Sequence, residues 1–226
     1  HIHLFFKHLP DSMGFGKYRG GAGTTTAWVV HNVPYLVYQS ISKNHKIPTP
    51  LGLFGGYPPP THPGIKITNA DVMEKLRRGD KDVPTNSVEL VKEKSIAGDY
   101  TVEGNIRFAT PVREGDIFVG NSFGGAGYGD VLERDPEAVM EDLRRGLISH
   151  WTAQNVYRVV YDPAAFHVDL EATERAREAE REERKKRGKP YDLFEQEWLK
   201  LSPPESALEY YGKWPTAEPI RQIVRI

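Results

Sequence analysis

Up to about residue 132, apolar residues come only in short pieces, each closed off by Gly, Pro, Asn or Asp. Thr24–Val30, Tyr35–Ile41, Ser87–Val91, Gly98–Val102, Asn105–Phe108 and Asp116–Val119 are all β-rich and bounded in this way. Short apolar pieces between turn residues form strands, because too few residues of one face recur at helical spacing. The chain is strand-like from its second residue, in HIHLFFKHLP, and it starts on His, which suggests a processed chain or the back part of a longer subunit. One helix interrupts this part at Asn69–Arg78, where Val72 and Leu76 share a face beside Met73 and Gly79 supplies the stop.

The pattern changes at Glu133. Asp135 is a good N-cap with Pro136 at the first helical position, Val139, Met140 and Leu143 make a buried stripe, and Gly146 ends the helix. Ser149 caps a second short helix leading into a strand-like Tyr157–Tyr161. From Asp169 to Arg187 Glu and Arg dominate, with a thin apolar line of Leu170, Ala172, Ala176 and Ala179; i,i+4 pairs support a solvated helical strut. The alternating signs argue against a nucleic-acid element. The tail from Lys189 mixes Tyr191, Phe194, Trp198, Tyr210, Tyr211 and Trp214 with prolines, and is expected to lie extended across this chain or a partner. The fold class is therefore α+β: a β-rich domain with Gly/Pro turns (1–132), a helical hairpin and strand (133–163), then a charged helix and a docking tail (164–226).

A formal net charge of −1 gives no global field for nucleic acid or an anionic membrane. The absence of cysteine removes disulfides, thiolate metal sites and a Cys nucleophile, and fits a reducing cytoplasm. No apolar run approaches the roughly 18 residues that cross a bilayer, so a cytoplasmic protein is expected.

Three glycine clusters stand out. In "DSMGFGKYRGGAGTTTAWVV" the backbone around Gly20 and Gly21, with Lys17, Tyr18 and Arg19, could hold an anionic substrate. A P-loop, however, needs a strand before its glycines and a helix after them, and here Thr24 to Val30 follow as a strand. A structural turn is the favoured reading. The same holds for Gly124, Gly125 and Gly127 in "SFGGAGYGD", and Gly55 and Gly56 in "LGLFGGYPPP" offer a pocket wall without an acid or base. His1, His3, His8, His31, His45, His62, His150 and His167 show no HExxH spacing; His1 and His3 alternate on one strand face but lack a supporting carboxylate. No metal site is assigned, and no complete active site assembles from these residues.

Taken together, "DSMGFGKYRGGAG", "PLGLFGGYPPP" and "GDIFVGNSFGGAGYGDVLERDPEAVMEDLRRGLIS…VYRVVYD" resemble the C-terminal part of the hydantoinase B family, over about residues 11–163. That family includes N-methylhydantoinase, 5-oxoprolinase, and acetone and acetophenone carboxylase subunits. Met13, Phe15, Tyr57 with its prolines, and the extension beyond Asp162 lean toward the ketone carboxylases. The resemblance implies one subunit of an ATP-dependent, bicarbonate-using ketone carboxylase. An enol or enol phosphate would meet the carboxyl donor in a water-excluded site. The alternatives are an ATP-dependent cyclic amide hydrolase and a non-catalytic structural subunit. The resemblance further implies an actin-like ATPase subunit, the remaining part of the hydantoinase B-type subunit and a small zinc subunit as partners. ATP and a divalent metal would be bound outside this chain, with the metal ligands in the front half of the subunit.

Overall fold

The computed structural model describes residues 1–41, 48–103 and 107–202. The chain divides into two compact units, residues 1–178 and 179–226.

The first unit is built on an antiparallel five-stranded sheet. Its strands are β1 (Ile2–His8), β2 (Thr24–Val29), β4 (Gly64–Thr68), β5 (Asp99–Glu103) and β7 (Ile117–Ser122), in the order β1-β2-β7-β4-β5. Two further strands, β3 (Tyr35–Ile41) and β6 (Arg107–Arg113), pair with each other as a separate ribbon. Pro111 sits within β6, where a two-stranded ribbon tolerates a missing N–H donor.

Alternation on the central strands sorts the residues into two faces. Ala27, Val29, Ile65, Ile67, Ile117 and Val119 point one way and pack with Phe5, Val72, Leu90 and Ile96 in one core. Val72 comes from α1 (Val72–Arg78), which ends at Gly79 in the left-handed conformation, φ 72°. Fully burying each of the Val, Leu, Ile and Phe side chains among them stabilises the fold by about 1.5–3 kcal/mol. Trp28 and Phe118 point the other way, where Val30 and Val112 join them beneath the ribbon.

A second core lies around α2 (Pro136–Arg144). Val139, Met140 and Leu143 are buried, as the stripe predicts, together with Met13, Leu132, Ile148, Ala153 and Tyr157. Asp135 accepts from the Glu137 N–H at 3.0 Å with Pro136 at the first turn. Ser149 Oγ accepts from the Thr152 N–H at 3.2 Å, capping the short helical segment that ends at Val156. Asp169 likewise caps α3 (Leu170–Arg187) through the Ala172 N–H at 2.9 Å.

Four expectations are corrected. Ser87–Val91 is no strand: Val88–Lys92 makes a single wide helical turn, because Asn86 Oδ1 accepts from both Val88 and Glu89 N–H, turning Leu90 inward and leaving Val88 outside. Strand pairing after Tyr157 begins only at Tyr161, in β8 (Tyr161–Asp162), which pairs with β9 (His167–Val168). On α3 the buried side chains are Thr173 and Arg177, whereas Leu170 and Ala179 are exposed. The inward face is polar because Thr173 Oγ1 accepts from the Val160 N–H and Arg177 donates to backbone carbonyls. Finally, the tail is not extended at its start: Tyr191–Trp198 forms α4, in which Phe194 stacks on Trp198 with centroids 6.0 Å apart. Tyr210, Tyr211, Trp214 and His45 lie outside the described residues.

Candidate functional site

The three glycine clusters, far apart in sequence, interlock. Gly14 N–H donates to Gly125 O (2.8 Å), Tyr57 N–H to Phe15 O (2.7 Å), Gly127 N–H to Tyr57 O (2.9 Å) and Gly125 N–H to Gly21 O (2.9 Å). Tyr18 and Tyr128 exchange both of their backbone hydrogen bonds, at 2.9 and 2.8 Å. The strands of backbone approach so closely that side chains are excluded. A Cβ on Gly127 would stand 1.9 Å from Phe15 O, and one on Gly20 would stand 2.0 Å from Gly125 O. Gly56 and Gly124 meet backbone at 2.3 Å in the same way, Gly125 is looser at 3.2 Å, and Gly21 faces open space. Among these glycines a left-handed turn is needed at Gly55, φ 93°, which follows the exposed Phe54 at φ 51°.

This packing bears on phosphate binding. An anion cradle needs N–H groups aimed at a common point, whereas the N–H groups of Gly14, Gly20, Gly124, Gly125, Gly127 and Gly129 all donate to protein carbonyls. The glycine clusters therefore do not fit the phosphates of ATP.

Lys17, Tyr18 and Arg19 leave this knot in different directions. Lys17 pairs with Glu133 at 3.1 Å on the surface, and that hydrogen bond raises its pKa. Tyr18 is exposed beside Tyr128, with centroids 6.3 Å apart. Arg19 turns inward: its Nε and Nη2 each donate to Asp142 at 2.8 Å, in the bidentate geometry suited to guanidinium and carboxylate, which holds the arginine protonated. Asp142, on α2, is only 3% exposed and also accepts from Arg134 Nη2 at 2.7 Å. Arg134 in turn donates to Lys17 O at 3.2 Å, and Arg177 donates to Arg134 O at 2.8 Å. One carboxylate thus ties the first glycine loop, the segment before α2 and, through the backbone, α3. None of Asp142, Arg134 or Arg177 stands out by motif; the available signal is that Asp142 stands three residues after Val139, on the side of the helix that carries the apolar stripe.

Tyr157 lies under the knot with no exposed surface and its ring edge-on to Phe15 at 5.8 Å. Its hydroxyl nears the Gly16 backbone without a hydrogen bond of good geometry, and burial pushes its pKa up to about 12. A raised tyrosine pKa means that the unfolded chain loses its proton first, so the stability it confers is full below pH ~10 and declines as pH rises toward ~12. The expected loss is of order 2–3 kcal/mol across that window. Chemical denaturation from pH 9 to 12 checks this, since Tyr157→Phe should show a shallower decline than the parent protein.

The described histidines do not converge on one another as a set. His150 Nδ1 lies 2.7 Å from the Tyr161 hydroxyl, and His31 Nδ1 lies 3.9 Å from Glu114. His62 is half-buried against the Ser12 backbone, and burial lowers its pKa. His1 and His3 bring their Nε2 atoms within 3.1 Å of each other. Among the described residues no group of three or more His, Asp or Glu is placed to hold a metal ion, so the side chains described do not fit the divalent metal of the resemblance. Nor is any helix among them long and apolar enough to cross a membrane.

The first unit is α+β, with glycine loops that lock backbone to backbone and an aspartate–arginine tie behind them. The Hydantoinase B/oxoprolinase model matches residues 2–131, and the chain belongs to that family. It is 45% identical over 219 residues to the acetophenone carboxylase delta subunit of Aromatoleum aromaticum, covering 96% of this chain and 32% of that protein. It is 28% identical over 202 residues to the acetone carboxylase alpha subunit of Xanthobacter autotrophicus, covering 84% of this chain and 25% of that one. The chain therefore spans about a third of the first relative's length and a quarter of the second's. Among solved structures, nucleotide-free acetone carboxylase superposes with a TM-score of 0.68 at 26% identity, over 88% of this chain and 26% of that chain. An ATP-dependent caprolactamase from Pseudomonas jessenii shares the fold, with a TM-score of 0.50 at 22% identity over 76% of this chain and 25% of that chain.

Proposed function

We propose that this chain is the C-terminal part of a hydantoinase B-type subunit in a cytoplasmic, ATP-dependent complex that carboxylates a ketone with bicarbonate. The observation that carries this reading is the 45% identity to an acetophenone carboxylase subunit, sustained over 96% of the chain. ATP activates bicarbonate as carboxyphosphate; a base takes the ketone's α-proton, the resulting enolate carbon forms the new C–C bond to the carboxyl carbon, and the C–O bond to phosphate breaks, releasing inorganic phosphate. ATP binding falls to an actin-like ATPase subunit, and the divalent metal to the remaining part of this subunit. The interlocked loops and the Asp142 tie supply a rigid wall, the kind of preorganised support that a water-excluding site requires.

Lys17, Tyr18 and Arg19 divide by role in this reading. Arg19 holds α2 against the first glycine loop, while Lys17 and Tyr18 remain on the surface as the residues that would face an anionic substrate or a partner. The test is ATP turnover by the complex isolated with this polypeptide from its native source. Turnover should require both bicarbonate and a ketone. Turnover with hydantoin, 5-oxoproline or a lactam in the absence of bicarbonate would instead assign a cyclic amide hydrolase.

A further inference from the structure

The glycine knot presents an aromatic face to solvent. Tyr18 is bridged to Tyr128 through the backbone, and Leu53 is bridged to Tyr128 from its other side, so three segments lie side by side. The Tyr128 ring touches two neighbours, edge-on to Phe54 at 5.3 Å and tilted to Tyr18 at 6.3 Å. Tyr18 is 63% exposed, Phe54 78% and Tyr128 49%, and Leu53 beside them is exposed as well. An aromatic side chain offers about 150–250 Å², so these three leave on the order of 400 Å² in water. That is about half of what one partner contributes to an interface of ordinary size, and it is the scale of patch that marks an interaction site.

The backbone holds Phe54 in this position. Leu53 N–H donates to Gly127 O at 3.2 Å, while Leu53 O accepts from Gly129 N–H at 2.9 Å and from Gly56 N–H at 3.0 Å. Inside that turn Phe54 is left-handed, φ 51°, a region in which a bulky side chain is strained and which it keeps only where its surroundings dictate it. The strained turn thus holds out a ring that the first unit itself does not bury. The face does not suit an anion, because Lys17 beside Tyr18 is paired with Glu133 and the N–H groups of Tyr18, Leu53 and Tyr128 all donate within the knot. Rings with hydroxyl tips suit an apolar protein surface that carries a few acceptors.

We propose that the face of Tyr18, Leu53, Phe54 and Tyr128 packs against the remaining part of its own subunit. The chain covers 32% of the acetophenone carboxylase delta subunit, so about two thirds of a subunit of that length lies outside it. Permanent interfaces are more apolar than exchangeable ones, resembling a core cut in half. A face locked by backbone hydrogen bonds also loses little freedom when it is covered. The choice of occupant rests on the reading above that this chain is the C-terminal part of a larger subunit; the face itself rests on its own geometry.

The test uses the full subunit in its native complex. Hydroxyl-radical footprinting should oxidise Tyr18, Phe54 and Tyr128 at least fivefold more slowly in the native complex than in the same complex unfolded by denaturant. Rings as exposed as they are in this chain alone would be slowed about twofold at most, and that result overturns the interface without any variant having to fold. With the photoreactive p-benzoylphenylalanine in place of Phe54, irradiation should join residue 54 to a peptide of the same polypeptide from outside residues 1–226. The subunit's mass on a denaturing gel should not change. A cross-link that adds the mass of another subunit or of a second copy overturns the choice of occupant. Intact mass separates the two levels of the claim: a polypeptide no larger than this chain removes the larger-subunit reading and this proposal together. A larger subunit whose three rings stay bare removes this proposal alone.

Discussion

Gly127→Ala is expected to destabilise the first unit by about 3 kcal/mol, the upper range for forcing atoms into a packed interior. The added Cβ would stand 1.9 Å from Phe15 O and 2.4 Å from its carbonyl carbon, so no side-chain rotation relieves the clash. Two backbone segments must part, and the Gly127 N–H to Tyr57 O hydrogen bond is strained with them. In a domain of this size that is a fall of roughly 6–12 °C in melting temperature. Gly21→Ala is the internal control, since nothing lies within 4 Å of its Cβ position. Thermal unfolding of the two variants side by side checks the interlock: equal shifts would mean that the three glycine loops do not close on each other as described.

The second large effect is at Asp142. Replacing it with Ala leaves the Arg19 and Arg134 guanidinium groups partly buried without their shared carboxylate, and removing one partner from a buried ionic group costs about 3–5 kcal/mol. The Lys17–Glu133 pair gives the contrast, because both of its side chains face solvent and exposed pairs contribute little. Denaturant unfolding should therefore show a large drop in midpoint for Asp142→Ala and none for Lys17→Ala. A Lys17→Ala variant that folds normally yet slows turnover of the complex would place Lys17 at the substrate. One that loses assembly would make it a structural contact instead.

What the sequence makes legible follows from how local each cause is. Helix α2 reads directly, because Asp135, Pro136 and Gly146 act within a turn of themselves and the stripe of Val139, Met140 and Leu143 repeats at helical spacing. Strand β3 is placed to the residue. Strand β4 is not legible: its five residues, Gly64–Thr68, follow a proline-rich stretch, and Lys66 breaks the apolar text, although the segment pairs with both β5 and β7. The turn at Val88 misleads because Val, Glu, Leu and Val alternate like a strand while one side chain, Asn86, captures two N–H groups and bends the backbone.

The glycine clusters are visible as clusters, but their shared role is not. Composition suggests turns made possible by conformational freedom, and Gly55 fits that description. Gly20, Gly56, Gly124 and Gly127 instead make room for backbone that is distant in sequence, as Gly127 does for Phe15 and Gly20 for Gly125. Such contacts are tertiary, so no local reading reaches them. Asp142 is hidden for the same reason: its partners Arg19 and Arg134 are 123 and 8 residues away. The aromatic cluster of Trp28, Tyr38 and Phe118 is likewise assembled from β2, β3 and β7, and only the pairing of Trp28 with Phe118 brings two of its rings together.

The most direct measurement of the central claim is the fate of carbon from ¹³C-bicarbonate, supplied with ATP and an aromatic ketone to the complex that contains this polypeptide. The account predicts a β-keto acid carrying the label in its carboxyl group, formed in step with ATP consumption. ATP consumed with no labelled carbon–carbon bond, alongside hydrolysis of a cyclic amide, would contradict it.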